Sequence, residues 1–222
     1  MRTTANGIEL AVRVSGSGPP LVLLHALGET AADWDVVLPA FEEHFRVYAV
    51  DLRGHGASDW PGEYSLELMR DDVLALLDAL GLTSVDLVGH SLGGFVALLV
   101  AQHSPGRVSR LVLEDVPAPL PREVVPPVRP EGELAFDWGM VLAVRPQIDD
   151  PDPAWLDGLA RITASTLVVW GGPESPMPRA RIEELVRRVP TAELATVEAG
   201  HLVHATKPEE FTAVVLEFLA RT

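Results

Sequence analysis

Up to residue 115 and again after residue 162, short apolar runs rich in β-branched side chains alternate with segments whose apolar positions recur at three- and four-residue steps. That alternation predicts an α/β fold, a mostly parallel sheet covered by helices on both faces. The strand candidates are Leu21–His25, Arg46–Leu52, Val85–Gly89, Val108–Glu114, Thr166–Trp170 and Ala192–Val197. Most are near-continuously apolar, as strands buried on both faces must be. Leu66, Met69, Val73, Leu76, Leu77 and Leu80 mark one helix face, and Gly81 follows where a C-cap belongs. Phe211, Val214, Val215, Phe218 and Leu219 mark the last helix. Ahead of these, Gly7–Val14 reads as a short β-hairpin arm ending in the turn Ser15–Pro20.

The alternation fails between Val116 and Ile162, where nine prolines fall between Pro117 and Pro153. That density excludes long helices and central strands. The same stretch holds Phe136, Trp138, Met140, Val141, Leu142 and Trp155. A free tether is poorer in such residues, so it reads as a short packed cap lying over the sheet edge. The expected organisation is one domain over 1–222, with its core in 1–115 and 163–222 and a reduced cap at 116–162.

Composition narrows the chemistry. With no cysteine, disulfides, Cys-ligated metals and thiol nucleophiles are excluded. Seventeen Lys and Arg against 32 Asp and Glu give a net charge of −15. A field of that sign repels phosphate backbones and anionic lipid surfaces, so neither nucleic acid nor a membrane is an expected partner. Met1–Leu10 carries one Arg and no apolar run of signal-peptide length, and Phe95–Ala101 is too short to span a bilayer. A cytoplasmic protein is the expectation. No dinucleotide fingerprint, phosphate loop or metal constellation stands out, so no cofactor is implied.

The most informative residues are Gly89-His90-Ser91-Leu92-Gly93, followed by Gly94 and an apolar helical run. A serine in a tight strand-to-helix turn is held in a strained conformation above the sheet, and small residues two before and two after it let strand and helix approach. Ser91 also falls at a helix N-terminus, where free amides favour developing negative charge, so Leu92 N–H becomes an oxyanion donor.

With these motifs the chain resembles an α/β-hydrolase, similar in the cadence of Leu24 to Gly94 to small esterases, enol-lactone hydrolases and cofactor-free haloperoxidases. His25-Ala26-Leu27-Gly28 is similar to the family's oxyanion loop, with Ala26 where glycine is usual; the resemblance implies Leu27 N–H as the second donor. Asp51 to Ser58 resembles a turn-shaping signature, which makes His25 and His55 organisers of loops. In Gly200-His201-Leu202-Val203-His204, His201 stands where the family keeps its catalytic base, and the chain order Ser, acid, His is kept. A two-histidine metal site from His201 and His204 has the spacing but no third ligand nearby.

The resemblance offers two places for the acid that orients the base, and both are filled. Asp115 follows the sixth strand of the family's fold and Glu174 the seventh. The shorter side chain of Asp115 on a strand end favours it, Glu174 lies between Pro173 and Pro176 in a loop, and Glu114 is a third, weaker choice. The resemblance implies hydrolysis of a small or medium carboxylic ester, lactone or related acyl bond through an acyl-enzyme. Serine at position 91 argues against the branches that use a carboxylate there. Haloperoxidase or perhydrolase activity, a carrier thioesterase and a non-turnover ligand receptor stay open as alternatives. Trp34, Trp60, Leu120, Phe136 and Trp138 are the candidate substrate-binding walls.

Overall fold

A computed structural model describes residues 1–221. Its strands are β1 (Arg2–Ala5), β2 (Ile8–Gly16), β3 (Pro20–Leu24), β4 (Arg46–Val50), β5 (Val85–His90), β6 (Val108–Glu114), β7 (Ser165–Trp170) and β8 (Ala192–Thr196). They form one eight-stranded sheet in the order β1-β2-β4-β3-β5-β6-β7-β8. β1 pairs antiparallel with β2 and β2 with β4, and β3 through β8 are parallel. The six expected strands lie within two residues of their predicted bounds.

Side-chain alternation divides the core between the two faces of this sheet. Leu21, Leu23, Val47, Ala49, Val88, Val112, Leu167 and Val169 pack with Trp34, Phe41, Phe211 and Phe218 from α1 (Leu38–Glu42), α8 (Pro208–Leu219) and the 3-10 turn before α1. Val22, Leu24, Val50, Leu87, Leu111, Leu113 and Val168 face α2 (Leu66–Ala79), α3 (Leu92–His103) and α6 (Arg179–Arg188). α3 is buried from Leu92 to Gln102, so it needs no polar face. α2 begins at Ser65, whose hydroxyl accepts from Leu68 N–H at 3.0 Å. It ends at Gly81 with φ +66°, and Leu82 N–H closes on Leu77 C=O.

Two sequence expectations need correction. The N-terminal hairpin is centred on Asn6-Gly7, not on a single arm from Gly7: β1 pairs with β2 across that turn, and both turn residues have positive φ. Asn-Gly is the strongest short hairpin signal, because a type I′ turn needs positive φ twice. In the cap, prolines do not exclude a helix. α4 (Trp138–Asp149) runs 12 residues with Pro146 inside it, and α5 (Pro153–Gly158) follows with proline at its first position. Six of the nine prolines fall between Pro117 and Pro130, where the chain forms neither helix nor strand. Pro146 lies in the last turn, and Leu142, whose C=O it leaves without its helical donor, is 53% exposed rather than packed.

Candidate active site

The site is assembled from the C-terminal ends of β3, β5, β6, β7 and β8. Ser91 joins β5 to α3 with φ +49° and ψ −110°, a conformation L-residues avoid and that the packed elements on either side enforce. A Cβ on Gly89 would lie 2.5 Å from Gly93 C=O, and one on Gly93 would lie 2.2 Å from Leu24 C=O. Neither contact is tolerable, which is why the turn needs glycine two residues before and two after the serine. Gly93 N–H donates to His25 C=O at 3.1 Å, so the elbow is tied to the loop that follows β3. Leu92 opens α3, and its amide is one of the first-turn donors a helix cannot satisfy.

The loop after β3 is held by neutral histidines. His25 Nδ1 donates to Ala26 C=O at 2.8 Å, leaving Nε2 to accept from Leu52 N–H at 3.0 Å. His55 Nδ1 donates to Arg53 C=O, and its Nε2 accepts from Gly28 N–H at 3.3 Å. Burial pushes His25 down to about 4 and His55 down to about 3. Asp51 accepts from Ala31 N–H and Ala57 N–H with its two oxygens, and Arg53 is clamped by Asp72 at 2.7 and 2.6 Å.

β6 ends in two consecutive carboxylates, and each receives a histidine from the segment after β8. Asp115, with φ +50°, is fully buried and accepts three donors. His201 Nδ1 lies 2.7 Å from Oδ2, Ser175 Oγ donates to the same oxygen at 2.6 Å, and Gly171 N–H donates to Oδ1 at 3.0 Å. His201 remains 29% exposed. Glu174 is exposed on the loop after β7, and the contribution of that loop to Asp115 comes from Gly171 and Ser175. The glutamate stood out in the sequence because its type matched; the serine beside it gave no signal.

Glu114 takes the other histidine. Its carboxylate is bonded to His204 Nδ1 at 2.9 Å through both oxygens and to His204 N–H at 2.9 Å. His204 Nε2 faces Asp33, 3.2 Å from its C=O and 3.4 Å from Oδ1. Burial alone would lower His204, but Asp33 and Glu114 outweigh it and raise it to about 10. Burial likewise opposes ionisation of Asp33 and Glu114, and their histidines hold both well below the usual carboxylate range. Asp33, His90 and His204 bring polar atoms within 4.8 Å of one another. His204 is thus bonded to Glu114 and faces Asp33, with the His90 ring beside it, rather than meeting His201, and both of its ring nitrogens are already engaged. His90 Nε2 donates to His201 C=O at 2.9 Å, which links the buried group to the cleft.

Ser91 and His201 open onto one cavity of about 530 Å³, together with Ala26, Leu27, Leu92, Phe95 and Met177. Beyond Glu29 and Leu202, its remaining wall is the cap, through Pro117, Arg122, Glu123, Val125, Arg145 and Ile148. None of the five expected wall residues is in that lining. Trp34 is completely buried, its ring 4.4 Å from His204 and 6.4 Å from Phe211. Trp60 is 45% exposed, outside the cavity. Phe136 covers Gly28 and pairs with His55, while Leu120 and Trp138 pack onto the core. Apart from exposed Trp60, the expected rings are spent on packing, and the cavity is walled mostly by other side chains, with Phe95 the one aromatic ring beside His201.

This fold and site define an α/β-hydrolase: the alpha/beta hydrolase fold family matches residues 19–137, and the chain belongs to it. Among relatives, a 2-hydroxymuconate semialdehyde hydrolase of Pseudomonas sp. (strain CF600) is 31% identical over 97% of this chain and 92% of its own length. Over half of the chain, an uncharacterized protein of Mycobacterium tuberculosis, Rv2715, is 40% identical; the match spans about a third of that protein, 33%. The crystal structure of the enol-lactonase from Burkholderia xenovorans LB400 superposes with a TM-score of 0.86 at 25% identity, covering 100% of both chains. Among the described residues no helix is long and apolar enough to cross a membrane.

Proposed function

We propose that the chain is a serine hydrolase of carboxylic esters, lactones or related acyl bonds, working through an acyl-enzyme on Ser91. The observation that carries this reading is the 2.7 Å contact of His201 Nδ1 with buried Asp115, beside a strained serine that shares a cavity with that histidine. Ser91 Oγ attacks the acyl carbon as His201 Nε2 takes its proton. The three donors of Asp115 fix its orientation, and it holds the imidazole in the tautomer with Nδ1 protonated. The oxyanion is received by the amides of Leu27 and Leu92. Collapse of the intermediate expels the alcohol with the proton from His201, and water repeats the sequence to release the acid.

Relatives and structural neighbours named as hydrolases, an esterase and an enol-lactonase support the same class. The test is treatment with an organophosphate, followed by peptide mass spectrometry and assay of a 4-nitrophenyl ester. The expected outcome is one adduct, on Ser91, with loss of turnover in parallel. Turnover that persists after complete labelling, or an unlabelled Ser91, contradicts the proposal.

A further inference from the structure

The cap brings two guanidiniums to the cavity and only one buried carboxylate to meet them. Arg122 Nε donates to Asp149 Oδ1 at 2.6 Å, and Asp149 is buried to 3% exposure. Arg145 reaches that same oxygen only at 3.5 Å, with Val125 C=O also at 3.5 Å. Arg145 Nε is buried and has no hydrogen-bond partner among the described residues. A guanidinium carries five donors, so Arg145 keeps most of its capacity unused in the wall of the cavity that holds Ser91. Nε is sealed from solvent, so an acceptor in the cavity would meet the terminal nitrogens, whose only protein contacts among the described residues are the two at 3.5 Å. The other charged groups of the lining, Glu29 and Glu123, are exposed, where solvent weakens them.

We infer that Arg145, supported by Arg122, is a specificity site for a carboxylate carried by the substrate itself, so that the preferred substrates are half-esters or lactones of dicarboxylic acids. The planar fork of arginine matches a carboxylate in two parallel hydrogen bonds. A cavity of about 530 Å³ has the size of a small-molecule site. The net charge of −15 makes a local cation the means by which such an anion is held. The inference rests on the acyl-transfer reading of Ser91, and its test separates the two.

The experiment compares mono-(4-nitrophenyl) esters of succinate, glutarate and adipate with the same compounds capped as methyl esters. The expected result is a kcat/KM at least tenfold higher for one of the anions than for its neutral partner, shrinking as salt is added. That ratio falls tenfold or more in Arg145→Gln and recovers in part in Arg145→Lys. A ratio near one for all three chain lengths, or one unchanged by Arg145→Gln, overturns the inference while leaving Ser91 chemistry intact. Binding read without turnover keeps the two apart. Titration calorimetry of Ser91→Ala with monomethyl glutarate shows binding that is lost when Arg145→Gln is added, and absence of binding overturns the inference even if Ser91 labels normally.

Discussion

Glu114 and Asp115 are neighbours on one strand end, each bonded to a histidine from the same short segment, and their surroundings make them different devices. Glu114 and His204 are both fully buried, and a second carboxylate, Asp33, closes the group from the far side. Each member holds its neighbour in the charged form against burial, so the group acts as a fixed ionic strut. Asp115 is equally buried, but His201 opens onto the cleft. Its carboxylate is satisfied by three donors, and the imidazole, held through Nδ1, leaves Nε2 outside the pair. Chemical identity of a pair therefore says little; in the proposed acyl transfer, access of His201 to the cavity makes Asp115–His201 the working pair and Glu114–His204 the structural one.

The largest expected effect breaks the working pair. Asp115→Asn should lower kcat by three to four decades through the wrong imidazole tautomer, with stability changed far less, as read by ester kinetics beside denaturant midpoints. Next comes the buried pair. Glu114→Gln should cost up to about 3–5 kcal/mol of stability by stripping His204 Nδ1 of its carboxylate and leaving Asp33 as the one counter-charge on that ring, measured by urea unfolding, while activity per folded molecule falls by no more than about tenfold. A thousandfold loss of activity in folded Glu114→Gln would erase the distinction between the two pairs.

A smaller effect is the pH dependence of stability. His204 is raised to about 10 in the fold against about 6.5 unfolded, so its contribution is complete below 6.5 and is lost as pH rises towards 10. His25 and His55 are lowered to about 4 and about 3, so their neutral forms stabilise above 6.5 and stability declines as pH falls from there towards 4. Unfolding midpoints should therefore peak near pH 6.5, with slopes of at most about 1.4 kcal/mol per pH unit for each group. Glu114→Gln should flatten the alkaline limb and keep the acid one; an unchanged alkaline limb would remove the ionic account of His204. The smallest effect is expected of Glu174→Gln, within about twofold of the parent in kcat, since that side chain is exposed.

Much of the fold was legible because burial writes itself into the chain. Strands covered on both faces must be largely apolar, and most of the six candidates showed this; β2 was read in part as the arm Gly7–Val14, while β1 was missed because Asn6-Gly7 carries its signal. The elbow was legible for a steric reason, since only glycine fits where Gly89 and Gly93 touch backbone oxygens. The candidate acid was narrowed to Asp115 over Glu174, with Glu114 a weaker third, only by side-chain length, because both leading residues stand at strand ends and what distinguishes them is burial and the donors of Gly171 and Ser175. The walls were misread for a related reason. Aromatic rings in the sequence promise contact area without saying whether protein or ligand supplies the other side, and Trp34 spends its face on His204 and Phe211.

The most direct test of the contrast between the two pairs is the rate at which an organophosphate modifies Ser91 in Asp115→Asn and in Glu114→Gln, each at a temperature where it is fully folded. We expect the first to react about a thousandfold more slowly than the parent and the second at close to the parental rate. Equal slowing in both, or none in Asp115→Asn, would contradict the account.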